Sequence, residues 1–174
     1  IAAVGTVEYL EGENTKIIDA KGNYIIPGFI DAHIHPESSA FSVPRFAQAC
    51  LSRGTTGVIT DFHEVGVVGG MDAIEAWLEE GKETPLKFHF VVPSHIPFSP
   101  GLETSGEELG PEEIKKALQR KDAIGLSEIV DLAVLGGSED LIKSMKDTKE
   151  AKKVLDGHIS SASGPQLSAY LSTG

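Results

Sequence analysis

His33 and His35 lie on the run Ile25-Ile-Pro-Gly-Phe-Ile-Asp-Ala-His-Ile-His35. A strand turns its side chains over with period two, so both imidazoles project to the same side. An apolar strand ending in His-x-His offers two neutral nitrogen donors on one face, the arrangement a divalent ion needs where the strand lines a barrel and its C-terminal end opens on a site. The same spacing also fits two partly exposed histidines at a strand end. Pro27-Gly28 sets a sharp entry into the run, and Asp31, two residues before His33, is placed to brace a ligand from behind.

Further polar residues recur where other apolar runs stop. Asp61, His63 and Glu64 follow Thr56-Gly-Val-Ile-Thr60, His95 follows Leu86 to Val92, Glu128 closes Ala123-Ile-Gly-Leu-Ser-Glu128, and His158 closes Val154-Leu-Asp-Gly-His158. Of the six histidines only His89 sits inside a strand pattern, which reads as a core or sheet-facing residue. Taken singly, Glu128 is also explained as a carboxylate capping the next loop, and His158 as a solvated loop residue. Their order along the chain is what joins them to His-x-His.

The elements that must carry these groups alternate buried-type strands with helical stretches from Tyr24 onward, the signature of βα units and a parallel sheet. The first strand is Phe29 to His33. A helix from Pro44 to Arg53 uses proline in its first turn and stops before Gly54. Gly66 to Gly70 reads as a loop, and Met71 to Glu80 as an amphipathic helix with Ile74, Trp77 and Leu78 inward and Trp77 in the core. Pro93 to Pro100 reads as a stiff, irregular loop, followed by a helix over Glu112 to Arg120. Helical patterns over Glu139 to Lys153 and Ser163 to Leu171 flank the fifth strand. Residues 1–23 read as short strands split at Glu11-Gly-Glu-Asn14 and Lys21-Gly-Asn23, a small sheet segment before the βα units.

Charge and length limit the function. A formal net charge of -11 with a pI near 4.9 argues against a nucleic-acid groove or an anionic membrane surface, which need clustered Lys and Arg. A small neutral substrate is compatible. Cys50 is the single cysteine, so there is no internal disulfide and no Cys-rich zinc knuckle, and a reducing, cytoplasmic setting is the expectation. The zinc-dependent base deaminases that use His-x-Glu with Pro-Cys-x-x-Cys are excluded on the same ground. No run approaches the roughly 18 apolar residues of a membrane span. The 174 residues fall short of the about 250 of a full barrel, so part of a longer protein is expected.

The stretch Pro27-Gly-Phe-Ile-Asp-Ala-His-Ile-His-Pro-Glu-Ser-Ser39 resembles the first barrel strand of the amidohydrolase superfamily, and its Glu37-Ser38-Ser39 extension resembles the adenine deaminases within it. The Gly125-Leu-Ser-Glu128 run is similar to the same group, where glutamate replaces the modified lysine of many relatives. Leu155-Asp-Gly-His158 is similar to the fifth-strand ligand motif. Asp61-Phe-His-Glu64 departs from the family's Asp-Pro-His-Glu only at Phe62, Pro93-Ser-His95 has histidine where the family has cysteine, and Glu103-Thr-Ser-Gly106 matches.

The resemblance implies an α/β fold: residues 24–174 as the first five βα units of a TIM-like (β/α)8 barrel, preceded by residues 1–23 as part of a small β-sandwich. It implies a divalent metal centre, binuclear, of manganese or iron with zinc as a further option, held by His33, His35, Glu128 and His158. Glu128, His63 and Glu64 are the expected catalytic groups, and His95, Glu103 and Ser105 the substrate-binding ones. The implied reaction is hydrolytic deamination of adenine to hypoxanthine and ammonia, in a homo-oligomer. Two further ligands, a histidine after the sixth strand and an aspartate after the eighth, are expected beyond Gly174, and the chain alone is expected to be inactive. The competing readings are another amidohydrolase acting on a cyclic amide or a different amine, and a non-catalytic metal-binding remnant.

Overall fold

A computed structural model describes residues 1–99 and 101–174; Pro100, the end of the expected Pro93–Pro100 loop, lies outside the described residues. Five strands, β1 (Phe29–Asp31), β2 (Thr55–Thr60), β3 (Lys87–Pro93), β4 (Ala123–Val130) and β5 (Val154–His158), form one all-parallel sheet in the order β1-β2-β3-β4-β5. Helices α1 (Val43–Leu51), α2 (His63–Lys82), α3 (Pro111–Ala117), α4 (Asp131–Leu135), α5 (Glu139–Glu150) and α6 (Gly164–Leu171) fill the crossovers. A strand order that never doubles back is that of a barrel wall, here half a barrel, and it brings the five C-terminal strand ends to one rim.

Apolar side chains between sheet and helices hold the wall. Phe62, Ile74, Phe90, Val92, Ile114, Leu118, Leu126 and Ile129 form the main core, and Phe46, Ala47, Val58 and Leu86 a second cluster under α1. Trp77 packs on this core, its ring 5.6 Å from Phe62. Local signals explain the helix starts. Proline occupies the first turn of α1, α3 and α6, and at α3 Glu113 reaches back to the Gly110 amide. At α5 the Ser138 hydroxyl accepts from the Leu141 amide.

Several boundaries differ from those read in the sequence. Gly66 to Gly70 is no loop: the chain enters α2 at His63, and only Gly69 and Gly70 leave helical geometry, as a kink with Gly70 at φ 61° and ψ -155°, a region open to glycine alone. The backbone before the kink is needed for docking, since the Gly106 amide donates to Val67 O. β1 ends at Asp31, which leaves His33 just past the strand, and β4 runs two residues beyond Glu128 into α4, an element the periodicity did not mark because it spans little more than one turn. Residues 1–23 contain no strand among the described residues, only a 3-10 turn at Glu8–Leu10. Tyr9, Ile17 and Ile18 stay exposed there; alternating residues make a strand only where a neighbour takes up the backbone hydrogen bonds, and no described segment does so.

Candidate metal centre

The rim gathers side chains from the segment just after β1 and from β4 and β5. His33 Nε2 lies 3.1 Å and His35 Nε2 3.0 Å from the same oxygen, Oε1 of Glu128, with the two rings 5.0 Å apart and edge to face. His158 Nδ1 is 3.6 Å from that oxygen, slightly outside the tight triad, and its ring is 5.8 Å from His33. Two imidazole nitrogens and a carboxylate oxygen within reach of one point are the donors a divalent transition ion takes.

The backbone aims Glu128 at this point. The β4–β5 register slips between Leu126 and Ile129, a bulge enclosing Glu128, and Glu128 itself has φ 56°, left-handed for a residue with a side chain. Bulges bend a strand and redirect a side chain, and a strained residue persists only where its surroundings over-determine it. Two buried hydroxyls do so: Ser94 Oγ donates to Glu128 O at 3.0 Å, and Tyr170 OH donates to the adjoining Ile129 O. Ser94 was not singled out in the sequence; its position beside β4 becomes visible only once Pro93 pairs with Ser127.

Behind the donors sits a ring of acids. Asp156 Oδ2 is 3.2 Å from His33 Nδ1 and fixes that ring's other edge. It shares the β5 alternation with His158, a signal that could have marked it. Asp31, read as a brace for a ligand, instead accepts from the His33 backbone amide at 3.2 Å and so holds the turn rather than the imidazole. On the far edge of His35, Nδ1 lies 3.2 Å from both Asp61 Oδ1 and Glu64 Oε2, yet off the line of a hydrogen bond to either. Asp61, then Glu128 and Glu64, push His35 up to about 12 against the opposing effect of burial. Glu128 is held below the usual carboxylate range, chiefly by His35. Burial pushes Glu37 up to about 8, assisted by Glu64, whose own carboxyl is held low by His35 and Glu37 against burial. Ser38 Oγ donates to Glu64 Oε1 at 3.0 Å, and the Glu64 amide donates to Glu37 Oε1 at 3.2 Å.

These groups fit a metal ion. The surrounding carboxylates ask for positive charge at His35, and His35 Nδ1, Glu37 Oε2 and Asp61 Oδ2 are buried without hydrogen-bond partners. A carboxylate on the outer nitrogen, as Asp156 is on His33 Nδ1, is what ligating imidazoles carry, and Asp61 and Glu64 lie 3.2 Å from the corresponding nitrogen of His35.

The remaining expected residues go elsewhere. His63, adjacent to Glu64, turns away from His35 and stacks on Phe98 with centroids 4.0 Å apart and planes 17° apart. His95 meets the edge of the same Phe98 ring at 4.7 Å, and its Nδ1 lies 2.9 Å from Ser94 Oγ. Because the Ser94 proton is committed to Glu128 O, the assigned tautomer of His95 carries its proton on Nδ1 and donates it to Ser94. Burial, reinforced by His63, holds His95 below the usual histidine value. Glu103 accepts from the Ser99 amide at 2.8 Å, and Ser105 is half-buried. His89 is half-buried in mid-strand, apart from both groups. A hollow of about 600 Å³ at Lys115, Arg120, Lys121 and Lys153 also lies apart from the histidines and belongs to none of this chemistry.

The profile of the Amidohydrolase family matches residues 24–170. The chain is 38% identical over 176 residues to an adenine deaminase of Clostridium botulinum (strain ATCC 19397 / Type A), 40% identical over 176 residues to one of Moorella thermoacetica, and 40% identical over 168 residues to one of Bacillus subtilis (strain 168). These alignments cover 96 to 100% of this chain but 28 to 30% of the relatives, so the chain spans under a third of their length. Among solved structures, N-isopropylammelide isopropylaminohydrolase from Burkholderia multivorans ATCC 17616 superposes with a TM-score of 0.52 at 17% identity, over 84% of this chain and 44% of that one, a likeness of fold. With the profile spanning most of the sequence, the chain belongs to the amidohydrolase family and is a homologue of adenine deaminases.

Proposed function

We propose that this chain supplies part of the active site of a metal-dependent adenine deaminase, which converts adenine and water to hypoxanthine and ammonia. The observation that carries the reading is the convergence of His33 Nε2 and His35 Nε2 on one oxygen of Glu128 at 3.1 and 3.0 Å, in a homologue of adenine deaminases. His33, His35, Glu128 and His158 are the residues that would hold a binuclear centre of manganese, iron or zinc. When bound, such a centre lowers the pKa of water toward neutrality and withdraws charge from the reacting carbon.

The chain's own residues do the rest. Asp156 orients the His33 imidazole through Nδ1, and Asp61 lies 3.2 Å from Nδ1 of His35. Glu64, half-exposed at the rim, is the base that takes a proton from water, and Glu37, whose Oε1 accepts from the Glu64 amide, is the acid beside it that returns one to the departing amine. The water oxygen bonds to C6 of the purine, the C6–N bond breaks, and ammonia leaves with the returned proton. His63, Phe98 and His95, with Glu103 and Ser105, form the side wall on which a flat base would lie. Residues 1–23 are proposed to belong to a separate small β-sandwich, and the protein to assemble as a homo-oligomer in a reducing, cytoplasmic setting. No helix of the described residues is long and apolar enough to cross a membrane.

Metal analysis of the purified full-length protein together with ammonia release from adenine tests the reading. Metal with adenine turnover supports it. Metal without adenine turnover points to a cyclic amide or another amine as substrate, and a metal-free protein to a remnant without catalysis.

A further inference from the structure

Asp131 is a fully buried carboxylate that the chemistry above does not use. It opens α4, three residues after Glu128, where an acid ordinarily faces the free amides of its own helix. Its hydrogen bonds run elsewhere. Oδ1 accepts from Ser160 N at 3.1 Å and Ser160 Oγ at 3.2 Å, and Oδ2 from Ser161 N at 3.1 Å and Ala162 N at 2.7 Å. Burial pushes this carboxyl up, but the Ser160, Ala162 and Ser161 amides outweigh it and hold the group well below the usual range.

Three successive amides closing on one carboxylate make an anion nest, filled by the protein's own side chain. The nest begins two residues after His158, and the last rung of the β4–β5 ladder pairs Val130 with His158. Asp131 therefore locks the chain directly above that rung and fixes where His158 leaves the sheet. Without the carboxylate three successive amides lose their shared acceptor, and the Ser160–Ala162 turn loses the group it closes on.

We propose that Asp131 is a positioning residue: its carboxylate, seated in the Ser160–Ala162 nest, sets the distance between His158 and Glu128 and through it the affinity of the metal centre for the ion that His158 binds. This rests on the reading of His158 as a ligand.

The test is a double-mutant cycle on the full-length protein, read as Mn2+ affinity by chelator competition, with amide exchange at Ser161 and Ala162 measured alongside. Asp131→Asn is expected to keep the fold by circular dichroism, to expose the two amides to exchange, and to weaken the weaker-bound Mn2+ about ten-fold. His158→Asn is expected to weaken the same ion, and the double variant to bind Mn2+ no worse than His158→Asn alone. Should Asp131→Asn fail to fold, Ser160→Ala, which removes one of the four donors, carries the same cycle with an expected loss of about three-fold. Unchanged Mn2+ affinity, or a loss that persists in full when His158 is already replaced, overturns the role of Asp131. A wild-type protein that binds none of Mn2+, Fe2+ and Zn2+ overturns the metal reading itself.

Discussion

Two groups of histidines end the strands of this sheet, and they occupy opposite electrostatic settings. His35 sits among Asp61, Glu64 and Glu128, which push it up to about 12, whereas His95 sits against Phe98 and His63 and is held below its ordinary value by burial first. The first setting demands a cation between nitrogen and carboxylate. The second keeps an imidazole neutral and presents flat, weakly polar surface. Both are fed by one tetrapeptide, Asp61-Phe62-His63-Glu64, in which Asp61 and Glu64 serve the first group and His63 the second.

The comparison predicts a graded set of outcomes. Replacing Glu128 by alanine removes the oxygen on which His33 and His35 converge, and turnover should fall by about 10³-fold, with metal content measured by mass spectrometry falling to half or less. Next, His35→Asn and His63→Asn should separate. The first is expected to lower Mn2+ affinity by about ten-fold or more, while the second leaves it within about two-fold and raises KM for the base, the cost of a lost stacking surface being about 1 kcal/mol. If both variants lose metal equally, the division into two groups is wrong.

A smaller effect is expected where the groups touch. Ser94 joins them, accepting from His95 and donating to Glu128 O. Ser94→Ala should cost about 1–3 kcal/mol in urea unfolding, because it leaves buried partners unsatisfied at a strained residue. The smallest effect is a pH dependence from His95. Its folded value lies below the ordinary 6.5, so below about pH 6.5 the unfolded chain binds the extra proton. Stability from this residue is complete above that pH and declines as the pH falls through it toward the folded value. A His95→Gln variant should flatten that limb of the stability profile, and a slope left intact would assign it to another group.

Much of the histidine cluster was legible in the sequence, because alternation puts His33 and His35 on one side, and order along the chain with the family resemblance joins Glu128 and His158 to them. The β5 bounds, Val154 to His158, come out as read, and His33, His35, Glu128 and His158 do meet. What stayed hidden depends on contacts between distant segments or on unusual backbone. Ser94 and Asp131 act through partners 34 and 29 to 31 residues away. Phe62 has φ 53°, which no pattern marks for a bulky residue, and it starts α2 so that His63 and Glu64, about 100° apart around the helix, face different groups. Residues 1–23 carry strand-like alternation but remain exposed, since pairing is decided by a neighbour and not by the strand itself.

The central claim is that His33, His35 and Glu128 surround a single cation position. An anomalous difference map from a crystal of the full-length protein soaked in Mn2+ tests it most directly. The account predicts a peak within coordination distance of His33 Nε2, His35 Nε2 and a Glu128 oxygen, and a map with no peak there, or with one seated between His63 and His95 instead, would contradict it.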